Sequence, residues 1–357
     1  MRGTVSARHL HGIRLPLGVG SWRLGIDAFC ASCQAHSVME EQFRELTACP
    51  GCGAELAADW SCQGCGARYT ALDGIPDLRL ASEPRVEVVR RFYDEAPFPG
   101  YPPHDTLVWL RARAGRSEFA RLLDRAVALD ARIVEIGCGT GQMSLYLSRA
   151  SRIVIGADLS RESLQVAASA AQRFGLDRVR FVETDLHRPG LRPASFDVVY
   201  SSGVLHHTPD PRVSFARLVR LARPGGTIVL GLYNAFARIP LRLRRAVARL
   251  SRYRLIPFDP VMAERRQQAD RREAWLRDQY RHPEEHRHTL AEVQRWFAEN
   301  GVEYLRSYPS AVLGSEPGEL FAAAEDNWRL EGWLAQIGWI RALGHEGGVF
   351  VTIGRRV

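Results

Sequence analysis

The chain has 357 residues, 46% of them hydrophobic, which is enough for one full-size domain and a smaller one. Its net charge is +8, yet all 48 basic residues are arginines, which we attribute to GC-rich coding rather than to a surface that binds polyanions. No apolar run reaches the length of a membrane span, and arginines interrupt the N-terminal segment where a signal peptide needs an apolar core. Together with thiols in metal-like spacing, this predicts a cytoplasmic protein.

Residues 1–38 show no hydrophobic periodicity. We interpret them as a leader, either disordered or in part an artefact of start-site assignment. The leader contains one C-x-x-C pair, Cys30 and Cys33. Its spacing to Cys49 also suits a zinc ribbon, and together with His36 the pair could bind a second metal.

Residues 39–82 contain two C-x-x-C-G turns, formed by Cys49 and Cys52 and by Cys62 and Cys65. Two such turns direct four thiolates at one point, and the glycine after each pair lets backbone amides bond the sulfurs. We therefore predict a zinc ribbon built on these four cysteines, in preference to the leader pair, which lacks the glycine. A redox pair or inert buried thiols are the alternatives. A site closed by four thiolates has no open position for water, so its predicted role is structural.

Residues 83–128 form a segment between the ribbon and the following domain. Prolines and a glycine exclude a continuous helix over 91–103. Two interpretations stay open: a lid over a ligand, with Tyr93 near the chemistry, or a strap that packs the ribbon onto the core. The aromatic residues that favour packing over an apolar surface are Phe92, Tyr93, Phe98 and Tyr101.

A short apolar strand at 132–136 runs into three alternating glycines, Gly137, Gly139 and Gly141, and a helical pattern follows. Glycine is needed where the backbone takes φ > 0 or touches a ligand without a Cβ in the way. The arrangement is typical of the first strand, loop and helix of a nucleotide-binding α/β domain. A dinucleotide fingerprint would have its last glycine where Gln142 stands.

Acidic residues accompany three successive strands of this domain. Glu135 precedes the glycine loop, Asp158 ends the second strand, and Asp185 ends the third. A carboxylate about twenty residues beyond the loop suits the hydroxyls of a ribose. With Glu135 facing a cationic amino-acid end and Asp185 an adenine amino group, the pattern favours S-adenosylmethionine over NAD.

Further strands follow at 196–203 and 227–230, the latter after a Pro-Gly-Gly turn, and then at 302–307 and 348–354. Strands that alternate with helices indicate a parallel, doubly wound sheet with its ligands at the carboxyl ends of the strands. We predict the α/β class, with a mostly parallel seven-stranded sheet at 129–357 preceded by the small ribbon. The last strand is expected to be antiparallel.

An insertion at about 236–300 follows the strand end that carries Tyr233 and Asn234. Its first part is an arginine-rich amphipathic helix, either solvated or able to capture acids. The segment 279–289 has three histidines and two glutamates, a composition that suits a metal site, a substrate pocket or a helix cap at Thr289.

An apolar helical tract lies between the last two predicted strands. We interpret it as the lining of a pocket or as a homodimer interface. Its tryptophans are Trp328, Trp333 and Trp339.

Residues 130–235 resemble class I S-adenosylmethionine-dependent methyltransferases, especially the quinone-biosynthesis-like group. The motifs that carry the resemblance are E-I-G-C-G-T-G, G-A-D-L-S, the strand-end Asp185, F-D-V-V-Y-S-S-G-V-L-H-H and R-P-G-G-T. The segment 67–78 is similar to the end of zinc-ribbon modules related to the activator subunit of tRNA and translation-factor methyltransferases. The resemblance implies a Rossmann-like fold and S-adenosylmethionine as cofactor, and it leaves the methyl acceptor open.

The predicted site follows from these motifs. The cofactor-binding residues are expected to be Glu135, Gly137, Gly139, Gly141, Asp158, Leu159, Asp185, Leu186 and Ser201. Three residues are catalytic candidates: His206 and His207, which follow the fourth strand where donor and acceptor meet, and Tyr233. Either histidine could act as a general base, or it could only orient the loop or hold the carboxylate of the cofactor.

We expect methyl transfer to a small-molecule acceptor by in-line displacement. The alternative is an RNA- or protein-modifying methyltransferase that docks its substrate through the ribbon. Against it, Ser201-Ser202-Gly203-Val204 stands where many amine-directed macromolecular enzymes have N/D-P-P-Y/F, and the ribbon has no basic tract interleaved with aromatics. Nucleic acid therefore stays a less favoured partner. A cofactor-binding scaffold without activity is disfavoured because the acids are intact.

Overall fold

The structure, a computed structural model, describes residues 38–81, 83–256, 259–313, 318–322, 329–343 and 347–357. The chain divides into two compact units, 1–41 and 42–357. Of the first unit, only 38–41 are described, and they are helical. The pair Cys30 and Cys33, with His36 and Trp328, lies outside the described residues. None of the described helices has the length and apolar character that a membrane crossing requires.

The second unit opens with the cysteine-rich ribbon, whose final hairpin pairs β1 (Ala71–Leu72) with β2 (Ile75–Pro76) in antiparallel fashion. The chain then joins the edge of the main sheet, because Asp77 forms a parallel bridge with Glu183. The Leu78 amide donates to the Glu183 carbonyl at 2.8 Å, and the Leu78 side chain is completely buried. The ribbon thereby covers a strand edge that would otherwise present unpaired backbone groups.

Three helices lead from the ribbon to the sheet: α1 (Pro84–Asp94), α2 (Leu107–Ala114) and α3 (Glu118–Ala126). The predicted break in the helix over 91–103 occurs only after Asp94, so Phe92 and Tyr93 belong to α1. Beyond it, the Tyr101 hydroxyl donates to the Thr140 carbonyl at 2.9 Å. This bond ties the segment to the glycine loop.

The predicted α/β class with a mostly parallel seven-stranded sheet is confirmed over the described residues. The strands are β3 (Arg132–Ile136), β4 (Ile153–Asp158), β5 (Val179–Glu183), β6 (Phe196–Ser202), β7 (Ala222–Tyr233), β8 (Val302–Tyr308) and β9 (Val349–Arg356). Their order across the sheet is β5-β4-β3-β6-β7-β9-β8. Only β9 runs antiparallel to its neighbours β7 and β8.

The order reverses between β3 and β6, which creates the crevice where ligands bind in open α/β sheets. The helices between these strands begin at side-chain caps or at the glycine loop. Asp210, for example, accepts from two backbone amides at the start of its helix. These connecting helices are α4 (Gln142–Leu147), α5 (Arg161–Arg173) and α6 (Pro211–Val219).

The Pro-Gly-Gly sequence before the fifth predicted strand lies inside β7, and the prediction of a separate turn there is wrong. Phe196 pairs with Ala222, but Val198 pairs with Thr227, so the extra residues of β7 form an irregularity in the pairing. Gly225 makes this possible, because its φ of +75° suits a residue without a Cβ.

The insertion contributes α7 (Ile239–Leu250), α8 (Pro260–Glu264), α9 (Ala269–Arg281) and α10 (Leu290–Glu299). Thr289 caps α10, as one interpretation of its segment predicted, by accepting from the Glu292 amide. The apolar tract forms α11 (Arg329–Ala342), in which Trp339 is buried and Trp333 is about half exposed.

Candidate cofactor and acceptor site

A cavity of about 360 Å³ opens at the carboxyl ends of β3, β4 and β6. Its floor is formed by the glycine loop and strand ends, and its roof by α1 and α9. The two roof helices are joined by Arg277 of α9, which donates to the Phe92 carbonyl at 2.6 Å and lies over the Phe92 ring at 4.5 Å. The structure therefore brings an N-terminal helix and the insertion together over the predicted cofactor site.

Six of the predicted cofactor residues line this cavity. They are Gly137, Gly139, Asp158, Leu159, Asp185 and Leu186. The Asp158 carboxylate is held by two backbone amides, Gly139 at 2.7 Å and Ser160 at 2.8 Å. Because each oxygen keeps a free lone-pair direction, this carboxylate can still accept from a ligand diol. Its contact with Gly139 also fixes the loop next to it.

The glycine loop has no room for a side chain at Gly137 or Gly141. Gly137 has φ +72°, and a Cβ there would lie 2.1 Å from a Val204 methyl group. Gly141 has φ +79°, and a Cβ there would lie 2.9 Å from Ala167. Gly141 does not line the cavity; it begins α4 and lets α5 approach closely.

Glu135 and Ser201, two further predicted cofactor residues, do not line the cavity. Glu135 is buried, and the Ser144 hydroxyl donates to its Oε2 at 2.5 Å. Burial raises the pKa of Glu135 to about 8. The Ser201 hydroxyl donates a hydrogen bond to the Ile136 carbonyl at 3.0 Å. Their role toward a cofactor stays a prediction.

The raised pKa of Glu135 predicts a pH-dependent stability in the cofactor-free chain. Glu135 keeps its proton up to about pH 8 when folded but loses it near its ordinary pKa of 4.5 when unfolded. The folded state therefore binds the extra proton, and its stability falls as the pH rises through this window. Relative to the Glu135→Gln variant, the wild type should lose up to about 1.4 kcal/mol per pH unit in urea denaturation. Parallel pH curves for the two chains would contradict this assignment, since the neighbouring Asp158 is present in both.

His187 is a cavity residue that the sequence analysis missed. Its Nδ1 lies 2.8 Å from Asp185 Oδ1, and the carboxylate raises the pKa of the imidazole. The signal available in the sequence was the D-x-H spacing after a strand-end acid. Asp185 and His187 thus place a hydrogen-bond acceptor and a hydrogen-bond donor at the carboxyl end of β5.

Of the predicted catalytic residues, His207 reaches the cavity and His206 does not. His206 is fully buried, accepts from the Tyr233 amide at 3.2 Å, and stacks on the Tyr233 ring with centroids 3.6 Å apart. Burial lowers the pKa of His206 well below its ordinary value. This geometry fits the orienting role, in which His206 connects the loop after β6 to the end of β7.

Tyr233 is likewise buried behind the cavity wall. Its hydroxyl accepts from Gln279 at 2.8 Å and lies 3.5 Å from Asp278 Oδ2, and the Arg238 guanidinium lies 3.5 Å from its ring centre. Burial raises its pKa. The side chain of the neighbouring Asn234 is also hydrogen-bonded: it donates to Gln336 Oε1 and accepts from the Phe236 backbone amide.

His207 lies close to Asp278 and His282, both from the insertion. The His207 and His282 rings stack with centroids 3.6 Å apart. Burial lowers the pKa of His207 to about 4 and that of His282 to about 3, so both rings are neutral near pH 7. In the sequence, His282 stands out only as one member of a histidine-rich segment, and Asp278 carries no distinguishing pattern.

The cysteine cluster lies away from this cavity, since none of its residues is among those lining the cavity. The sulfurs of Cys49, Cys52, Cys62 and Cys65 all lie within 4.8 Å of one another. The Cys49–Cys65 and Cys52–Cys62 sulfur pairs are 3.8 and 3.4 Å apart. Sulfurs bound tetrahedrally to zinc at about 2.3 Å are spaced by roughly 3.8 Å, so the four thiols fit such an ion.

Backbone amides support the thiolate form of Cys62, in the way that the C-x-x-C-G pattern predicted. The amides of Cys65 and Gly64 each point at Cys62 Sγ from 3.4 Å. These donors, Cys65 first, lower the pKa of Cys62 to about 6. The described cysteines are all free thiols.

Replacing Cys62 by serine should remove one equivalent of zinc per chain and unfold the ribbon, because a closed four-thiolate site contributes its binding free energy to folding. Metal analysis and limited proteolysis within 42–81 would measure both effects. The matched control is Cys138→Ser, which changes a buried thiol outside the cluster and should keep the zinc. Full zinc content in the Cys62 variant would refute the predicted ligand set.

Comparison with known proteins agrees with this architecture. Residues 134–230 match the family described as the methyltransferase domain. An uncharacterised protein from Synechococcus is 29% identical over 266 residues, which are 64% of this chain and 63% of the relative. A ubiquinone biosynthesis O-methyltransferase from Paracidovorax citrulli is 32% identical over 108 residues, or 30% of this chain and 45% of that enzyme. The chain thus spans less than two thirds of the length of either relative.

Among solved structures, magnesium protoporphyrin IX methyltransferase from Synechocystis with bound SAH aligns at 15% identity and a TM-score of 0.46, over 76% of this chain and 100% of that one. The family match, the strand order and the glycine loop define the class. The domain that contains residues 134–230 belongs to the class I S-adenosylmethionine-dependent methyltransferases.

Proposed function

We propose that this protein transfers a methyl group from S-adenosylmethionine to a small-molecule acceptor by in-line displacement. The observation that carries the proposal is the cavity beneath α1 and α9, whose lining combines Gly137, Gly139 and Asp158 with His207 and Asp278. A methyltransferase domain with a partly covered cavity next to its glycine loop can hold both reactants and limit the access of water to them.

The residues along β3 to β5 fit this cofactor. S-adenosylmethionine supplies an electrophilic methyl group on a sulfonium sulfur. Gly137 and Gly139 allow the backbone to approach the ligand, Asp158 accepts from the ribose hydroxyls, and Asp185 accepts from the adenine amino group. Apolar roof residues such as Phe92 and Trp275 shield the reacting atoms from water.

A small acceptor is favoured over RNA or protein because helices cover part of the cavity. Helices α1 and α9 lie over it, and none of the residues lining it comes from the ribbon within the described part of the chain. The ribbon is instead fixed to the β5 edge of the sheet, where Arg79 and Arg161 both bind Glu183 at 2.8 Å. We assign it a structural zinc ion and no part in docking a macromolecule.

The test is a methyl-transfer assay with radiolabelled S-adenosylmethionine and the full chain. Three acceptor pools are offered separately: a low-mass metabolite extract, total RNA, and dialysed protein. Label that appears only in the low-mass pool supports the proposal. Label in RNA or protein overturns the small-molecule assignment, and salt-sensitive binding of RNA that weakens without residues 1–82 would point to the ribbon as its docking site.

A further inference from the structure

The geometry points to a second metal site at the acceptor end of the cavity, formed by His207, Asp278 and His282, that takes a divalent transition-metal cation. One ligand atom from each residue lies within 4.8 Å of the other two. His207 comes from the short turn after β6, Asp278 from α9, and His282 from the residue after α9. The site therefore exists only because the insertion folds over the end of the sheet.

The tautomers of both histidines follow from one backbone carbonyl. His207 Nδ1 and His282 Nδ1 each lie 2.6 Å from the Glu284 carbonyl oxygen. A carbonyl can only accept, so both Nδ1 atoms carry the proton, and both Nε2 atoms carry a lone pair. The Glu284 amide lies farther from His282 Nδ1, at 3.2 Å, and does not reverse this assignment.

Histidines that bind metals typically donate their other ring N–H to a carbonyl or carboxylate, which fixes the ring orientation. Here one carbonyl orients two rings at once. Among the described residues, the buried Nε2 atom of His282 has no hydrogen-bond partner, which is costly for an acceptor that has no ligand. This orphaned atom is a second observation, independent of the clustering, that indicates a ligand.

Asp278 completes the set with an oxygen. The Gln279 side chain donates to its Oδ2 at 2.5 Å, which orients the carboxylate. Two imidazoles and one carboxylate suit zinc, manganese or iron in the divalent state better than calcium or magnesium, which prefer oxygen ligands. Bonds of about 2.1 Å require the ligand atoms to approach to roughly 3 to 3.5 Å, and the stacked His207 and His282 rings must turn so that both Nε2 lone pairs converge on the cation.

Three protein ligands leave coordination positions open, as in catalytic rather than structural metal sites. Since His207 and Asp278 line the cavity, those positions face the space assigned to the methyl acceptor. Resting on the proposed function, this makes an acceptor with a hydroxyl or carboxylate oxygen the substrate class that the site would select. The metal site itself can be tested without any acceptor.

The experiment measures the binding of cobalt to the full chain after removal of bound metal. Cobalt reports on both sites, because thiolate ligands give an intense charge-transfer absorption that nitrogen and oxygen ligands lack. The wild type should take two equivalents, one of each kind. His282→Ala and Asp278→Asn should lose the second, weakly absorbing equivalent or bind it more than about 100-fold more weakly, and keep the thiolate signal.

The matched control is His286→Ala, in the same segment, whose Nε2 is already bonded to Glu284 Oε1 at 3.0 Å. It should keep both equivalents, and near-ultraviolet circular dichroism verifies that each variant is folded. The inference is overturned if the wild type binds only one equivalent of cobalt. It is also overturned if both His282→Ala and Asp278→Asn still bind the second equivalent. Calorimetry with S-adenosylmethionine on the same samples separates the two proposals, since a chain that binds cobalt twice but no cofactor contradicts only the proposed function.

Discussion

Asp158→Ala is expected to weaken the binding of S-adenosylmethionine by between roughly 100-fold and 10,000-fold. A ribose diol can donate two hydrogen bonds to this carboxylate, and each bond to a charged group contributes about 1.5 to 3 kcal/mol. The carboxylate also receives the Gly139 amide, so the substitution removes a contact that shapes the glycine loop. Both effects act on cofactor affinity in the same direction, and isothermal calorimetry measures their sum.

The control is Asp130→Ala, which removes an exposed carboxylate at the opposite, amino end of β3. It should leave the affinity unchanged. Asp158→Asn separates the two effects, because an asparagine carbonyl can still accept from Gly139 while the second oxygen of the diol contact is lost. Unaltered affinity for S-adenosylmethionine in a folded Asp158→Ala chain would contradict the assignment of this strand end to the ribose.

The fold was predictable because its signals are local. Glycines in a tight loop, acids at strand ends and alternating apolar segments are each set by a few neighbouring residues, and right-handed crossover rules then restrict the topology. The strand at 302–307 and the antiparallel strand at 348–354 were placed within two residues of β8 and β9. The error at Pro224-Gly225-Gly226 arose because a turn-forming sequence can also form a bulge inside a paired strand.

The site was predictable only in part, because its two halves have different origins. The cofactor half comes from consecutive strand ends. Even there, side chains alternate between faces along β3, so Ile136 reaches the cavity and Glu135 does not. The acceptor half depends on contacts between distant segments, such as Arg277 with Phe92, which are 185 positions apart. No local pattern encodes such a contact.

The stability of that acceptor half is expected to depend on one buried cation. Arg238, at the start of α7, is 1% exposed. It donates to Gln279 Oε1 at 2.6 Å, to the Gly347 carbonyl at 2.5 Å and to Glu285 at 2.6 Å. Its guanidinium also lies over the Tyr233 ring. The side chain thus links the end of β7, helix α9 and the turn before β9.

Arg238→Met should lower the free energy of unfolding by about 3 kcal/mol, the lower end of the range for breaking a buried ion pair. We expect the loss of stability to be near the lower end of that range for two reasons. Arg245 also binds Glu285, at 2.6 Å, and methionine retains the apolar stem of the side chain. Because Gln279 also orients Asp278, we expect the turnover rate to fall with the stability. Urea denaturation and the methyl-transfer assay measure the two effects.

Arg242→Met is the matched control, one turn along the same helix and exposed, and should change the stability by less than about 0.5 kcal/mol. Adding Glu285→Gln to Arg238→Met should cost less than the sum of the two single changes, because the uncompensated carboxylate is then absent. Strict additivity would mean that Arg245 alone neutralises Glu285. In that case Arg238 would act through Gln279 and Gly347, and the loss of turnover would persist in the double variant.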